Sequence, residues 1–125
     1  KCCLYDVPET PLRIAGPDSL AFLQKLFTRD ISKIRVGRAG YAIACDYQGG
    51  IIMDGVLMRP NEREFIYVQA NGDFLNWATA HIGDLNASIR DFDSWVLQIQ
   101  GPTSLKVFEA ATNISLETFS YYDAI

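Results

Sequence analysis

One histidine, His81, is all the sequence has, and that shortage removes much of enzyme chemistry at once. A serine–histidine–aspartate triad would have to pass through this residue, and no serine stands in a nucleophile-elbow context. A Cys45–His81 dyad is open on composition alone, with no motif behind it, and His81 itself reads more simply as a helix-end residue. Cysteine is also scarce: the 3 thiols cannot all pair, and adjacent Cys2-Cys3 with distant Cys45 offer no metal-ligand spacing. Reduced thiols in the cytoplasm are the default reading. No apolar run approaches the roughly 20 residues of a membrane span. The opening Lys1-Cys2-Cys3-Leu4-Tyr5 lacks the apolar core of a signal peptide, and a first residue other than Met is what a trimmed or partial product would show. Positive charge is short as well. A formal net charge of −4 argues against a nucleic-acid surface, which carries a basic stripe. Zinc, dinucleotide-binding, phosphate-loop and kinase motifs are all missing.

What is there centres on Gly40–Arg59. Two apolar runs flank Gln48-Gly49-Gly50, the composition of a tight hairpin turn. With Gln48-Gly49 as the loop, Cys45 faces Ile52, Ile43 faces Asp54 and Tyr41 faces Val56. Ile52, Asp54, Val56 and Met58 then share one side of the sheet with Tyr41, Ile43, Cys45 and Tyr47. One carboxylate stands among apolar neighbours, with Tyr41 diagonal to it. An unpaired carboxylate buried there costs several kcal/mol, so it needs a partner, a shifted pKa or a ligand. Asp54 is therefore a candidate site residue, and a turn cap or an arginine partner is the plainer alternative. After the first helix, Arg29, Lys33, Arg35 and Arg38 form a basic cluster, read either as a solvated loop or as an anion site.

The remaining elements follow in order. Leu12–Ala15 reads as a short strand, and Gly16-Pro17-Asp18-Ser19 opens a helix carrying Leu20, Phe22, Leu23, Leu26 and Phe27. Asp30–Arg38 is a polar connection with Ile31, Ile34 and Val36 turned inward. Pro60-Asn61-Glu62 is a turn, and Glu64–Ala70 a strand. Asn71-Gly72-Asp73 caps a second helix, with Phe74, Leu75, Trp77, Ala78 and Ile82 on one face and Gly83-Asp84 at its end. Ala87–Phe92 and Trp95–Gln100 read as a strand pair. Gly101-Pro102-Thr103-Ser104 begins a third helix, and the tail Ile114–Ile125 opens a further strand. Ile14-Ala15-Gly16-Pro17-Asp18-Ser19-Leu20 returns as Ile99-Gln100-Gly101-Pro102-Thr103-Ser104-Leu105. Strand, Gly-Pro-x-Ser and helix occur twice, which predicts duplicated plait (ferredoxin-like) units in an α+β fold of antiparallel-rich sheets with packed helices.

The run Asp6-Val7, Ile14–Ser19, Phe22-Leu23 and Thr28-Arg29-Asp30-Ile31 resembles the amino end of the glycine-cleavage T-protein (aminomethyltransferase) superfamily. Tyr41, Gly49-Gly50-Ile51, Asp54 and Ile99–Pro102 continue it in order, so the resemblance covers nearly the whole chain. Asp6-Val7 and Met53-Asp54-Gly55 are nearer the folate-dependent demethylase-like members. The resemblance implies tetrahydrofolate as cofactor and a small-molecule methyl or aminomethyl donor. Asp54 would orient folate and stabilise developing cationic character, and an apolar setting would raise its pKa enough to handle a proton. Tyr41 and Met58 would line the folate cavity, and Tyr121 or Tyr122 would supply a later contact. In two places the family pattern fails: Pro8-Glu9-Thr10 replaces a His-Met run, and Met53-Asp54 replaces paired acids. The resemblance further implies that residues 1–125 are the amino-terminal part of a folate-binding domain. The remainder, including a C-terminal barrel, would lie downstream or on a partner chain. A one-carbon transferase is thus the first expectation, and a non-catalytic folate-binding or assembly module of the same fold its rival. A purely structural plait, with Asp54 in a salt bridge, is the third.

Overall fold

The computed structural model describes residues 1–125. Its strands are β1 (Cys3–Val7), β2 (Glu9–Ala15), β3 (Arg38–Cys45), β4 (Ile51–Asn61), β5 (Glu64–Ala70), β6 (Ser88–Asp91) and β7 (Val96–Gln100). Its helices are α1 (Ser19–Leu26), α2 (Phe74–Ala80) and α3 (Ser104–Thr112), with a single 3-10 turn at Ile31–Lys33. Five strands form one antiparallel sheet in the order β3-β4-β5-β2-β6, and β1 pairs with β7 in a separate ribbon. With β3 set aside, β2, β4, β5 and β6 are the first to fourth strands of a ferredoxin-like plait and lie in its order, β6-β2-β5-β4, with a helix following β2 and β5. The α+β reading holds, and β3 is an added edge strand.

Helices α1 and α2 cover one face of the sheet. Phe22, Leu23 and Leu26 of α1 and Phe74 and Ala78 of α2 are buried together with Leu12, Ile14, Leu57, Phe65 and Tyr67. Tyr67 is the keystone of this layer. Its ring meets Phe27 at 4.9 Å and Phe74 at 5.0 Å between centroids, and its hydroxyl donates to the Ala42 carbonyl at 3.1 Å. A buried phenol needs such a partner. Small residues Gly40, Ala42 and Ala44 on β3 leave room for the helices on this same face. Arg59 ends the buried row of β4; it donates to the Ile34 carbonyl at 3.1 Å and reaches Glu62 at 2.9 Å, its guanidinium 5.1 Å from the Phe65 ring centroid.

The repeated Gly-Pro-x-Ser junctions are structurally equivalent. Gly16 and Gly101 have φ of 135° and 131°, and the Ser19 and Ser104 amides donate back to the Gly16 and Gly101 carbonyls at 3.2 and 3.0 Å. Each glycine lies against a neighbouring chain that no side chain could share. An added Cβ would stand 2.4 Å from the Asn86 carbonyl oxygen in the first copy and 2.5 Å from that of Lys1 in the second. Registers match too: Ala15 pairs with Ser88 as Gln100 pairs with Cys3, and Ile14 with Ile89 as Ile99 with Leu4. Strand β1 therefore occupies in the second unit the place that β6 occupies in the first. Ala87–Phe92 and Trp95–Gln100 are accordingly not a hairpin pair, because each closes a different unit.

Four local expectations are corrected. β4 continues through Pro60 and Asn61, on a sheet stretch where the proline amide has no ladder partner to lose, so the turn is Glu62-Arg63. Neither Asp18 nor Asp73 caps its helix through the side chain. Asp18 instead accepts from the Asn86 amide at 2.8 Å and ties the start of α1 to the approach of β6. Val36 is exposed while Ile31 and Ile34 are buried. The tail is no strand: Tyr122 has φ of 62°, and a turn at Ser120–Asp123 breaks the extended path.

Candidate functional site

The β3–β4 ladder brings the candidate residues together. Tyr41 pairs with Val56 and Ile43 with Asp54, so Tyr41 and Asp54 are diagonal neighbours on one face, as the hairpin register predicts. Nearer the turn the register shifts. Asp46 closes a longer loop by accepting from the Gln48 and Gly50 amides, both at 2.8 Å, and Cys45 faces Ile51 instead of Ile52. The resulting bulge lies beyond Ile43 and leaves the Tyr41–Asp54 diagonal intact.

That face is the one the helices leave uncovered. Asp54 is exposed and Tyr41 is 44% exposed, so the predicted apolar enclosure of the carboxylate is corrected. Alternation assigns residues to a common side, but it does not say which side meets the helices when both carry apolar groups. Here Met53 and Leu57 turn to the core, and Asp54, Val56 and Met58 turn away from it. The carboxylate has a partner, however. The Tyr41 hydroxyl donates to Asp54 Oδ2, while Oδ1 has no partner in the protein. That bond, with desolvation and the Asp54 charge behind it, holds the Tyr41 phenol above its ordinary value of 10.0. Neither a capped turn nor an arginine accounts for Asp54.

Tyr122 joins the same corner by way of the tail. Its carbonyl accepts from the Ala39 amide at 2.8 Å, Arg38 forms an ion pair with Asp123 and donates to the Tyr121 carbonyl at 2.8 Å, and the Ala124 amide donates to Gly37 at 2.9 Å. The tail is thereby fastened along the outer edge of β3. The Tyr122 phenol lies in electrostatic reach of Tyr41 and of Arg29, and its neighbour Tyr121 pushes it upward. Met58 shares the face as the other diagonal neighbour of Tyr41, on the far side of Val56 from Asp54. It lines a cavity of about 220 Å³ with Pro11, Val68, Phe92, Trp95 and Leu97, roofed by the β6–β7 connection. A second cavity, of about 380 Å³, borders Tyr41 and is lined by Thr28, Arg29, Asp30, Lys33 and Ile43. Sequence reasoning did not single out Arg29 from its basic cluster; the signal available was Gly40, whose missing side chain makes room for the guanidinium.

His81 caps the end of α2, with Nδ1 2.7 Å from the Trp77 carbonyl and Nε2 3.0 Å from the Tyr47 hydroxyl, remote from the Tyr41–Asp54 pair in the fold. No three His, Cys, Asp or Glu side chains are grouped to hold a metal ion. No helix is long and apolar enough to cross a membrane.

Comparison with known proteins agrees with this architecture. A family model described as the GCVT N-terminal domain matches residues 1–125. An aminomethyltransferase of Listeria monocytogenes is 35% identical over 124 residues, covering 95% of this chain and 34% of the relative. One from Geobacillus kaustophilus is 32% identical over 131 residues, covering 98% of this chain and 36% of the relative. The crystal structure of glycine cleavage system aminomethyltransferase T from Bartonella henselae superposes with a TM-score of 0.89 at 19% identity, over 98% of this chain and 35% of that one. The chain thus spans about a third of the length of the relatives it matches.

Proposed function

The chain belongs to the GCVT N-terminal domain family, and on that premise we propose that it is the amino-terminal part of the folate-binding domain of a tetrahydrofolate-dependent one-carbon transferase. The observation that carries the reading is the Tyr41–Asp54 hydrogen bond on the uncovered sheet face, which leaves one carboxylate oxygen free. A reduced pterin fits such a place. It presents N–H donors to a carboxylate and a flat ring to Tyr41, Val56 and Met58, which are only part-covered here. When bound, tetrahydrofolate supplies the nitrogen that accepts the one-carbon unit.

The residues of the chain do the rest. Asp54 Oδ1 accepts a hydrogen bond and fixes orientation, and the carboxylate's negative charge stabilises positive charge developing at the transferred carbon. Tyr41 holds Oδ2 and fixes the carboxylate rotamer before the ligand arrives, so little reorganisation is needed. Apolar neighbours keep water away from the face once a ligand covers it, which strengthens the attraction. Asp54 acts as a fixed charge and acceptor in this scheme. The donor is a methyl or aminomethyl compound. The three free thiols suit a reducing compartment, and the cytoplasm is the location this reading assigns.

Kinetics on Asp54→Asn in the protein that contains this chain test the proposal. Turnover should fall by about 10²-fold or more, with the melting temperature almost unchanged because the side chain is exposed. Equal losses in turnover and stability would contradict it. Folate binding by the unaltered protein without transfer from any amine, sulfonium or aryl methyl ether would favour a non-catalytic folate-binding or assembly module.

A further inference from the structure

We infer that Arg29, with Lys33 behind it, forms an anion subsite that takes a carboxylate of the ligand lying on the Tyr41–Asp54 face; the inference rests on the proposed function. Arg29 is placed and not merely exposed. At the outer edge of β3 its Nη1 donates to the Tyr41 carbonyl at 2.7 Å, and its guanidinium reaches that edge from the helix side, where a Cβ added at Gly40 would stand 2.8 Å from the same nitrogen, so a ligand on the Tyr41–Asp54 face meets it round the strand edge. A side chain at position 40 would push the arginine off the strand edge. The guanidinium has no carboxylate partner: the four ion pairs of the chain use Arg13, Lys33, Arg38 and Arg59. Its remaining N–H groups form a fork suited to a planar carboxylate.

Both cations border the cavity of about 380 Å³ that also has Tyr41 in its wall. Asp30 is the one acid there, and its charge is already engaged. Oδ1 accepts from Gln24 at 2.9 Å and from the Ser32 amide and hydroxyl at 3.0 and 2.6 Å, leaving Oδ2 at 3.9 Å from Lys33. Arg29 and Lys33 against Asp30 leave the cavity net positive in a chain that is net negative. The carboxylate comes either from the glutamyl tail of folate or from the one-carbon donor. Either anion would lie within a ligand's length of the Asp54 carboxylate, and the charges of Arg29 and Lys33 would offset the repulsion.

Calorimetry on the protein that contains this chain separates the sources. Arg29→Gln should weaken tetrahydrofolate about 10-fold, Lys33→Gln by less, and Arg29→Lys should recover part of the loss. If tetrahydropteroate, which lacks the glutamate, binds both forms equally, the carboxylate is the tail's. If tetrahydrofolate is unaffected while inhibition by sarcosine or 3-methoxybenzoate weakens, it is the donor's. Lys33 is 77% exposed, so its variant keeps the test valid should Arg29→Gln fail to fold. Unchanged affinity for all these probes in both glutamine variants, with Asp54→Asn still inactive, overturns the subsite and leaves the proposed function standing. Should the unaltered protein bind no tetrahydrofolate, the proposed function fails, and titration with sodium glutarate judges the subsite alone. A shift of the Arg29 Nε–Hε resonance then supports it, and an unmoved resonance overturns it.

Discussion

Tyr41 and Asp54 were legible as a pair because strand register is a matter of counting, and Gln48-Gly49-Gly50 set the count closely enough. Their exposure was not legible. Ile52, Val56 and Met58 alternate with Met53 and Leu57, so the sequence of β4 offers an apolar set on either side. What decides the matter is the small-residue row Gly40, Ala42 and Ala44 on β3, which lets the helices approach on the opposite face. The phenol gives a direct test at this scale. Tyr41 is held above 10.0 chiefly by its bond to Asp54. The stability that bond contributes is fully present below the ordinary phenol value and is lost as pH rises through the elevated folded one. Carbon NMR of the Tyr41 ring should show titration above pH 10, returning toward the ordinary value in Asp54→Asn. A Tyr41 titration unaffected by that substitution would show that the bond is not formed in solution.

Among the elements, the helices and the strand Glu64–Ala70 were readable from periodicity and from their bounding Gly, Pro, Asn and Asp residues. Pairing was less so. Nothing in Ala87–Gln100 announces that β6 returns to β2 while β7 leaves for β1, since both halves of that stretch have strand composition. The Gly-Pro-x-Ser echo held the answer, because equivalent junctions require equivalent neighbours. Gly16→Ala combines a strained φ with a contact against the Asn86 backbone and should cost about 2–4 kcal/mol in urea unfolding. Gly101→Ala meets the same geometry in a ribbon with no buried residue. Its effect should appear as faster hydrogen exchange in β1 and β7 with little change in the midpoint of global unfolding. Loss of protection in β2 and β6 from Gly101→Ala would contradict the two-unit description.

At the scale of the molecule, one plait unit is complete, and β1, β7 and α3 belong to a second, in and beside which Leu4, Trp95, Leu97 and Leu105 are more than half exposed. The family and its antiparallel α+β plan followed from motifs spread over the whole chain. The corner where the tail meets β3 did not, because it depends on one left-handed residue, Tyr122, and one ion pair, Arg38 with Asp123. The central claim is that a folate lies on the uncovered face against Tyr41 and Asp54. NMR mapping of tetrahydrofolate onto the protein that contains this chain tests it most directly. Saturable shifts are expected at the Asp54 carboxyl, the Tyr41 ring and the Met58 methyl, with Trp77 and His81 unmoved. Shifts confined to the His81 side of the fold, or none at Asp54 and Tyr41, would contradict it.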